Sequence, residues 1–315
     1  MPSVNYNIFS STGRTFYPEP AKATLKANDS VVVAVKAAAI NPVDYKLPKW
    51  FLHGRAVGLD FSGVVAEVSP DVTTVKVGDR VFGTASGALA DKIVVSTSTI
   101  AKLPTSFSFK DGAALPIAYL SSYQALVNHG FTEGMKVLII GASGGCGTAG
   151  VQLAKALGAS EIVGVCSKKN EDFVKSLGAD RIIDYQTQSI VDGHEKYFDF
   201  VLDTATSSGG GEDYLDSAKA VLKDPLKNHV LLNGPFSLLF AKFTGLGRKD
   251  VALIICEQKA ADLESVVKYL ELSNSRPVID SIFPFTQEGV EEAFAKLHSR
   301  RVKGKIIINV SGDEI

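Results

Sequence analysis

Short runs of apolar, often β-branched residues separated by glycine, proline and aspartate characterise the first hundred residues of the chain. Closely spaced runs bounded by turn residues are typical of strands in an antiparallel barrel or sandwich. The runs cover residues 31–35, 63–68, 75–82 and 93–95, the third of them around a Gly-Asp turn. The pattern therefore predicts a barrel-like antiparallel domain.

Beyond Pro104 the pattern changes to alternating strand-like and helix-like segments. The strand-like runs are continuously apolar, as expected of strands buried on both faces of a sheet; they cover residues 136–140, 162–165, 181–183, 200–202, 230–232 and 251–255. Helical patterns cover 113–126, 148–157 and 171–177. This alternation indicates βαβ units, so we predict an α/β Rossmann domain with a doubly wound parallel sheet.

The last forty residues change pattern again. Strand-like runs at 278–282 and 305–308 flank a helical pattern at 288–298. We interpret them as a return to the first domain. The predicted organisation is thus a catalytic domain over 1–114, a cofactor-binding domain over 115–275 and a returning segment over 276–315.

Composition and charge narrow the class of protein. Hydrophobic residues make up 45% of the chain and the formal net charge is −1, which argues against nucleic acid as a partner. Stable membrane insertion is not expected, because no apolar run approaches the ~20 residues that cross a bilayer. Three scattered cysteines and no apparent secretory signal favour a reducing, cytoplasmic placement, with entry into an organelle without a cleavable peptide as the alternative.

A glycine-rich segment, Gly141-Ala142-Ser143-Gly144-Gly145-Cys146-Gly147, follows the first strand-like run of the second domain and opens a helical pattern. In a dinucleotide-binding fold this is where the pyrophosphate binds, at the helix N-terminus. Ala142 makes the G-x-G-x-x-G pattern imperfect, but the strand before and the helix after match its context. We predict cofactor contacts from Ser143, Gly144, Gly145, Cys146 and Gly147. For Cys146, a reactive thiol and a small packing residue are both open.

The residues at the end of the second strand-like run favour NADPH over NADH. An NAD-binding protein usually carries an acidic residue about 20 positions beyond the loop, bonded to the ribose 2′-hydroxyl. Here Ser167, Lys168 and Lys169 stand at that point, and a hydroxyl and two cations suit a 2′-phosphate. The alternative is a solvated lysine pair on a surface turn.

Several short motifs occur in order and together resemble one family. They are Asn-Pro-Val-Asp-Tyr-Lys at 41–46, Gly-Leu-Asp-Phe-Ser-Gly-Val-Val at 58–65, Val-Gly-Asp-Arg-Val at 77–81, Ala-Leu-Pro at 114–116, the loop at 141–147, Leu-Gly-Ala-Asp at 177–180 and Gly-Lys-Ile at 304–306. The chain resembles the medium-chain dehydrogenase/reductase superfamily in its quinone oxidoreductase branch. Within it, the chain is most similar to plant-type quinone oxidoreductase homologues of the chloroplast envelope and to enone and alkenal reductases.

The resemblance implies a GroES-like catalytic barrel, a Rossmann domain, an active-site cleft between them and a homodimer formed through the last Rossmann strand, near 251–256. In zinc-dependent relatives, zinc ligands fall at the positions of Asn41, Leu59 and Ile117. These residue types cannot form such a site, which needs three Cys, His or carboxylate ligands. We therefore expect no metal.

Further site residues follow from the resemblance and from the strand ends. It places Asn41, Asp44 and Ser121 near the nicotinamide, with an Asx turn before Pro42 as the alternative for Asn41. Tyr45 is the expected proton donor or carbonyl partner, or else a packing residue, and Tyr119 is expected to narrow the cleft. Further cofactor contacts are expected from Tyr185, Thr204, Asn233, Gly234, Gly304 and Lys305, with a solvated surface cation as the alternative for Lys305.

These residues predict a zinc-free reductase that transfers hydride from NADPH to quinones or α,β-unsaturated carbonyls. One alternative is an enoyl-thioester reductase acting on acyl chains carried by coenzyme A or acyl carrier protein. Another is a weakly catalytic, zeta-crystallin-like RNA-binding or structural protein. The apolar and then basic stretch 236–249 is expected to form a lid or to pack.

Overall fold

The computed structural model describes residues 5–10, 13–17, 24–25, 29–46, 55–234 and 250–315 of the chain. They belong to two compact units. Unit 1 contains residues 1–117, 258–265 and 276–315, and unit 2 contains residues 118–257 and 266–275. The domain limits expected from the sequence, after residues 114 and 275, stay a prediction. The stretch 236–249, expected to be a lid or packing segment, lies outside the described residues.

The strands, in chain order, are β1 (Asn5–Ser10), β2 (Gly13–Tyr17), β3 (Ser30–Ile40), β4 (Arg55–Ala56), β5 (Asp60–Val68), β6 (Arg80–Thr84), β7 (Lys92–Ser96), β8 (Ile100–Lys102), β9 (Lys136–Ile140), β10 (Glu161–Cys166), β11 (Arg181–Asp184), β12 (Phe200–Asp203), β13 (His229–Leu231), β14 (Ala252–Leu253), β15 (Ile279–Pro284) and β16 (Lys305–Asn309). The helices are α1 (Val43–Lys46), α2 (Phe109–Ala114), α3 (Pro116–Val127), α4 (Gly145–Ala156), α5 (Glu171–Ser176), α6 (Leu215–Val221), α7 (Ala260–Leu272) and α8 (Gln287–His298). Two short 3₁₀ turns cover Thr97–Thr99 and Lys168–Asn170. None of the described helices is long and apolar enough to span a bilayer.

Unit 1 is built around β3, which pairs on one edge with β5 along most of its length. Its other edge is shared: residues 30–34 pair with β7 and residues 37–40 pair with β16. One strand with three partners curves the sheet around the buried side chains of Val31, Val33, Phe61 and Phe294. A separate small sheet has the order β2-β1-β4. The predicted barrel-like antiparallel domain is confirmed, with one parallel pair between β15 and β16.

Unit 2 contains a six-stranded sheet with the order β11-β10-β9-β12-β13-β14, and every pair in it is parallel. In chain order within the unit this is 3-2-1-4-5-6, the order of a doubly wound nucleotide-binding sheet. The first strand of the unit, β9, therefore lies in the middle, and the connections on its two sides run in opposite directions. The predicted Rossmann domain is confirmed.

Some predicted elements differ in extent from those of the structure. In the run 75–82 only residues 80–82 belong to a strand, β6. The predicted Gly-Asp turn is confirmed, because Gly78 has φ +90° and the Asp79 carboxylate accepts a bond from the backbone N–H of Lys76. The predicted helix over 113–126 is divided into α2 and α3 at Leu115. Pro116 explains the division, since proline has no N–H to continue a helix but fits well in a first helical turn.

Candidate cofactor and active-site residues

The glycine-rich loop of unit 2 leaves the carboxyl end of β9 in a tightly packed turn. Gly141 has φ +79°, and a Cβ atom there would lie 2.6 Å from Thr204 Oγ1. A Cβ atom at Gly147 would lie only 2.1 Å from the Gly141 carbonyl oxygen. Both positions require glycine, because an L side chain has no room and Gly141 adopts a left-handed backbone.

The helix that follows this loop begins without a side-chain cap. Gly144 is the N-cap residue of α4 and contributes no capping hydrogen bond. A Cβ atom at Gly144 would meet only the Gly141 oxygen, at 3.5 Å, so space is open above the loop. The unpaired N–H groups of a first helical turn attract anions. Gly145 and Cys146 lie half-buried in that turn, and the Cys146 carbonyl accepts a bond from Ser122 Oγ at 2.8 Å. The loop and the helix start therefore fit a pyrophosphate.

The end of β10 carries the residues predicted to select NADPH. Ser167 is buried, whereas Lys168 is exposed and forms an ion pair with Glu171. The hydrogen bond from Lys168, together with one from Lys175, lowers the pKa of Glu171 to about 2. The same bond raises the pKa of the Lys168 ammonium. Lys168 therefore remains a cation, but it shares that charge with a neighbouring carboxylate.

Asn170, which sequence reasoning missed, links this turn to the phosphate loop. Its side-chain Nδ2 donates to Ser143 Oγ at 3.1 Å, and the residue is 8% exposed. The structure thus brings Ser143 to the turn of Lys168 and Lys169. No sequence signal marked the position, because an asparagine at the start of a helix usually has a local capping role.

Other predicted cofactor residues gather at the same end of the sheet. Thr204 follows β12, and its Oγ1 donates to the Ile140 carbonyl at 2.7 Å. Asn233 follows β13 and donates through Nδ2 to the Thr204 carbonyl at 3.3 Å, with Gly234 next in the chain. Tyr185 follows β11 and is 53% exposed. The carboxyl ends of parallel strands are where such sheets bind ligands.

Two residues of α3 were also predicted to act in this unit. Ser121 is buried, at 8% exposure. Tyr119 has no exposed surface, and its hydroxyl donates to Gln152 Oε1 of α4 at 2.5 Å. The expectation that Tyr119 narrows a cleft is therefore wrong, because the side chain is used to connect α3 to α4.

In unit 1, the segment from Asn41 to Lys46 forms a turn and the short helix α1. The Asp44 carboxylate accepts a bond from the backbone N–H of Asn41 at 2.7 Å, and the Asp44 N–H bonds back to the Asn41 carbonyl. Asp44 therefore closes a turn that contains Pro42. The side chain of Asn41 is left for another contact.

That contact is a buried charged cluster. Asn41 Nδ2 donates to Asp60 Oδ2 at 2.9 Å, and Lys305 Nζ donates to the same oxygen at 2.9 Å and to Asn41 Oδ1 at 2.5 Å. The other Asp60 oxygen accepts from the backbone N–H of Ile117 at 3.0 Å. Lys305 is 4% exposed, so it is not a solvated surface cation, and its expected contact with the cofactor stays a prediction.

Gly304, the other predicted cofactor residue of the last strand, has a conformational role in the structure. It has φ +82°, and a Cβ atom there would lie 2.4 Å from the Val278 carbonyl oxygen.

Asp60 belongs to the motif at residues 58–65, but the sequence predicted no role for it. A charged residue beside an apolar strand, matched by a lysine before Ile306-Ile307-Ile308, is a sequence signal for a buried pair, because a lone buried charge is costly.

Tyr45, on α1, packs against the unit 1 core with its ring centroid 4.1 Å from that of His298. Burial raises the pKa of its hydroxyl, and the positive charge of Arg300 opposes that shift. The hydroxyl is therefore protonated at neutral pH.

Among the described residues, no three His, Cys, Asp or Glu side chains come together as a metal site would require.

Comparisons with known proteins agree with this architecture. Residues 27–105 match the family model described as alcohol dehydrogenase GroES-like domain, and residues 177–308 match that described as zinc-binding dehydrogenase. The first covers much of the unit 1 sheet, and the second runs from the end of α5 to β16.

Two relatives and a solved structure extend the comparison. The chain is 34% identical to 2-methylene-furan-3-one reductase from Solanum lycopersicum, over 89% of this chain and 72% of the relative. It is 32% identical to the chloroplastic quinone-oxidoreductase homolog of Spinacia oleracea, over 89% of this chain and 90% of the relative. The quinone oxidoreductase structure from Coxiella burnetii superposes with a TM-score of 0.78 at 24% identity, over 98% of both chains, which supports the fold. The chain belongs to the quinone oxidoreductase branch of the medium-chain dehydrogenase/reductase superfamily, a family of nicotinamide-dependent oxidoreductases.

Proposed function

We propose that this protein is a zinc-independent, NADPH-dependent reductase of quinones or α,β-unsaturated carbonyls. The observation that carries the proposal is the uncapped start of α4 beside an open glycine loop, next to a turn of Ser167, Lys168 and Lys169. The loop suits a pyrophosphate, and the turn suits a 2′-phosphate because a hydroxyl and ammonium groups bind phosphate oxygens.

The substrate class rests on the relatives and on the chemistry. One relative is named for an unsaturated furanone and the other for a quinone, and both compound classes accept hydride at an electron-poor carbon. NADPH, when bound, supplies that hydride. The chain's own part is to orient the acceptor through polar groups such as Asn41 and to provide a proton. The protonated Tyr45 hydroxyl and solvent are the two sources of that proton.

Zinc independence rests on the residues at the expected ligand positions. Zinc requires three protein ligands from Cys, His or carboxylates, with a fourth, open position in catalytic sites. The amide of Asn41 is bonded to Lys305, whose cation would repel a metal ion, and Ile117 bonds Asp60 only through its backbone N–H. Leu59 has no ligating atom. This donor set does not fit zinc.

The test is a comparison of NADPH and NADH oxidation with a quinone, a small enone and a crotonyl thioester, before and after treatment with a strong chelator. We expect NADPH-selective turnover of quinone or enone that the chelator leaves unchanged. Faster turnover of the thioester would support an enoyl-thioester reductase instead. Salt-sensitive RNA retention without NADPH oxidation would support a binding protein, and loss of activity to the chelator would contradict zinc independence.

Substitutions in the turn after β10 test the predicted selectivity for NADPH. K168Q/K169Q removes both cations of the turn, and we expect the Kd for NADPH to rise about tenfold or more while the Kd for NADH stays unchanged, since each charge-assisted bond contributes roughly 1.5–3 kcal/mol. E171Q releases Lys168 from its ion pair and is expected to tighten NADPH binding. K227Q is the control, because Lys227 is as exposed as Lys168 (73% and 75%) and also pairs with an acidic neighbour. Equal weakening of both cofactors in K168Q/K169Q would contradict the assignment.

The cytoplasmic placement belongs to the same proposal. Cys146, Cys166 and Cys256 all lie in the described part of the chain and form no disulfide there, as expected in a reducing compartment. Microscopy of the protein with a fluorescent fusion partner tests the placement, and accumulation in an organelle would contradict it.

A further inference from the structure

Three buried polar side chains of unit 1 form a closed ring. Lys305 Nζ donates to Asn41 Oδ1 and to Asp60 Oδ2, and Asn41 Nδ2 donates to that same Asp60 oxygen. The three residues are 4%, 0% and 4% exposed for Asn41, Asp60 and Lys305, respectively. The ring is therefore shielded from water, and its contacts are stronger than they would be at the surface.

The charges in the ring determine how the Asn41 amide is oriented. An ammonium group has only donors, and a carboxylate has only acceptors. The amide oxygen must therefore face Lys305 and the amide nitrogen must face Asp60. The reverse orientation would oppose an N–H to an ammonium and a carbonyl to a carboxylate. One of the two amide N–H groups is used by Asp60, so the second N–H points in a direction that the ring sets.

Backbone contacts hold the ring in place on three neighbouring strands. Lys305 begins β16, Asp60 begins β5 and Asn41 follows the end of β3, which pairs with both. The second Asp60 oxygen is held by the Ile117 N–H, and the Asn41 N–H is held by Asp44. Groups fixed on sheet strands hold a functional side chain more accurately than loop residues do.

We propose that Lys305 and Asp60 are positioning residues that hold the Asn41 carboxamide as a hydrogen-bond donor toward the reacting ligands. The ammonium draws electron density from the amide oxygen, which strengthens the remaining N–H as a donor. Its partner is an acceptor oxygen, either the carbonyl of an enone or quinone or the carboxamide oxygen of the nicotinamide. This inference rests on the proposed function, in which Asn41 contacts substrate or cofactor.

The first test is a double-mutant cycle on turnover, with K305M, N41A and K305M/N41A. If Lys305 acts through Asn41, K305M lowers kcat/KM for the acceptor about tenfold or more, and K305M/N41A is no slower than N41A alone. Losses that multiply in the double variant would overturn the proposal, because they would mean that Lys305 acts independently of Asn41. A rise in KM for the acceptor identifies the substrate oxygen as the partner, and a rise in the Kd for NADPH identifies the nicotinamide.

Folding is controlled by two further variants. K305R keeps the cation and is expected to retain most of the activity. D60N/K305M removes both charges, so no unpaired buried charge remains, and it is expected to stay folded by circular dichroism while it loses turnover to the level of K305M. Full activity in a folded D60N/K305M would overturn the proposal.

A readout without turnover separates this inference from the proposed function. In protein labelled with ¹⁵N at asparagine, the side-chain NH₂ signals of Asn41 are expected to be well separated and slow to exchange, and to shift and exchange faster in K305M. Unchanged Asn41 signals would overturn the positioning role even if NADPH oxidation is confirmed. Changed signals in a protein that oxidises no NADPH would leave the positioning role intact and reject the proposed function.

Discussion

At the scale of single residues, the glycines of the phosphate loop serve two different purposes. Gly147 must be glycine because the backbone of Gly141 packs against it: a Cβ atom at Gly147 would lie 2.1 Å from the Gly141 carbonyl oxygen. Gly144 has no comparable contact within the protein, since its Cβ would meet one atom at 3.5 Å. We infer that a side chain at position 144 would occupy space that a bound ligand needs.

G144A and G147A should therefore fail in different ways. G144A is expected to fold with an unchanged Tm and to bind NADPH at least tenfold more weakly, because its methyl group enters the space of the phosphates. G147A is expected to lose several degrees in Tm, since the backbone of the loop must move. Thermal unfolding and NADPH fluorescence titration measure the two effects. Normal NADPH affinity in G144A would contradict a pyrophosphate at this loop.

The three cysteines should differ in reactivity. Burial, and the negative charges of Asp184 and Glu171, raise the pKa of the Cys166 thiol to about 11. At pH 8 it is therefore a thiol and not the reactive thiolate. We expect an alkylating reagent at pH 8 to leave Cys166 unmodified, as measured by mass spectrometry of the digested protein.

Cys146 supplies the matching test of the cofactor site. It is half-buried in the first turn of α4, and NADPH is expected to slow its alkylation while Cys256, the control, reacts at an unchanged rate. Rapid labelling of Cys166 in the folded protein, or equal effects of NADPH on both other cysteines, would contradict these assignments.

The buried pair of Lys305 and Asp60 makes a prediction about stability. Removing one partner of a buried ion pair commonly costs about 3–5 kcal/mol, because the other charge remains buried and unpaired. We expect K305M to lower the free energy of unfolding by about that amount and D60N/K305M to lower it by less. Urea unfolding measures both, and a K305M variant as stable as the original protein would show that the buried pair contributes no net stability.

At the scale of elements, the apolar pattern predicted the strands of unit 2 well because those strands are buried on both faces. Ile139, Val163 and Leu202 have essentially no exposed surface. The pattern failed where a local interaction outweighed it, as at residues 75–79. Val77 there is 59% exposed, so its apolar side chain marks no strand. The run 251–255 likewise contains a strand of only two residues, β14.

The candidate site divides in the same way. The phosphate loop could be predicted because its function requires a local sequence between a strand and a helix. The ring around Asp60 is signalled only in part: the sequence indicates a buried acidic and basic pair, but not that Asn41 joins it, since Asn41 and Lys305 are 264 residues apart in sequence and meet only through strand pairing. Asn170 was missed for a similar reason, because its contact with Ser143 crosses from β10 to β9.

The start of α8 offers a test of local stability. Thr286 is its N-cap residue, and the hydroxyl accepts a bond from the Gly289 N–H at 3.1 Å. T286A is expected to lower the free energy of unfolding by ~1 kcal/mol, the usual contribution of an N-cap side chain. T74A, at an exposed turn threonine, is the control and should change it by less than ~0.5 kcal/mol. Equal effects in urea unfolding would show that the cap contributes nothing.

At the scale of the whole molecule, we propose that the protein forms a homodimer through the edge of the unit 2 sheet. β14 pairs with β13 and is the last strand of that sheet among the described residues. Close to it, Ile255 is 49% exposed. An exposed apolar side chain at the end of a sheet favours contact with a second copy.

I255K places a charge at that edge, and we expect it to convert a dimer to a monomer without changing Tm by more than a few degrees. L226K is the control, because Leu226 belongs to the same unit and is 63% exposed. Light scattering coupled to size-exclusion chromatography measures the mass of each variant. A dimer that persists in I255K, or a monomeric original protein, would contradict the proposed interface.

The position of β16 between β15 and β3 also affects the order in which the two units can fold during synthesis. A ribosome releases β3 long before residues 305–309 exist, so the growing chain carries half of one edge of β3 without its partner. The strands of unit 2, all within residues 136–253, are released in the meantime and can pair first. Domains generally fold as units during synthesis. We therefore expect the nascent protein to complete its second unit before its first, with residues 37–40 of β3 open to a molecular chaperone until β16 has been synthesised.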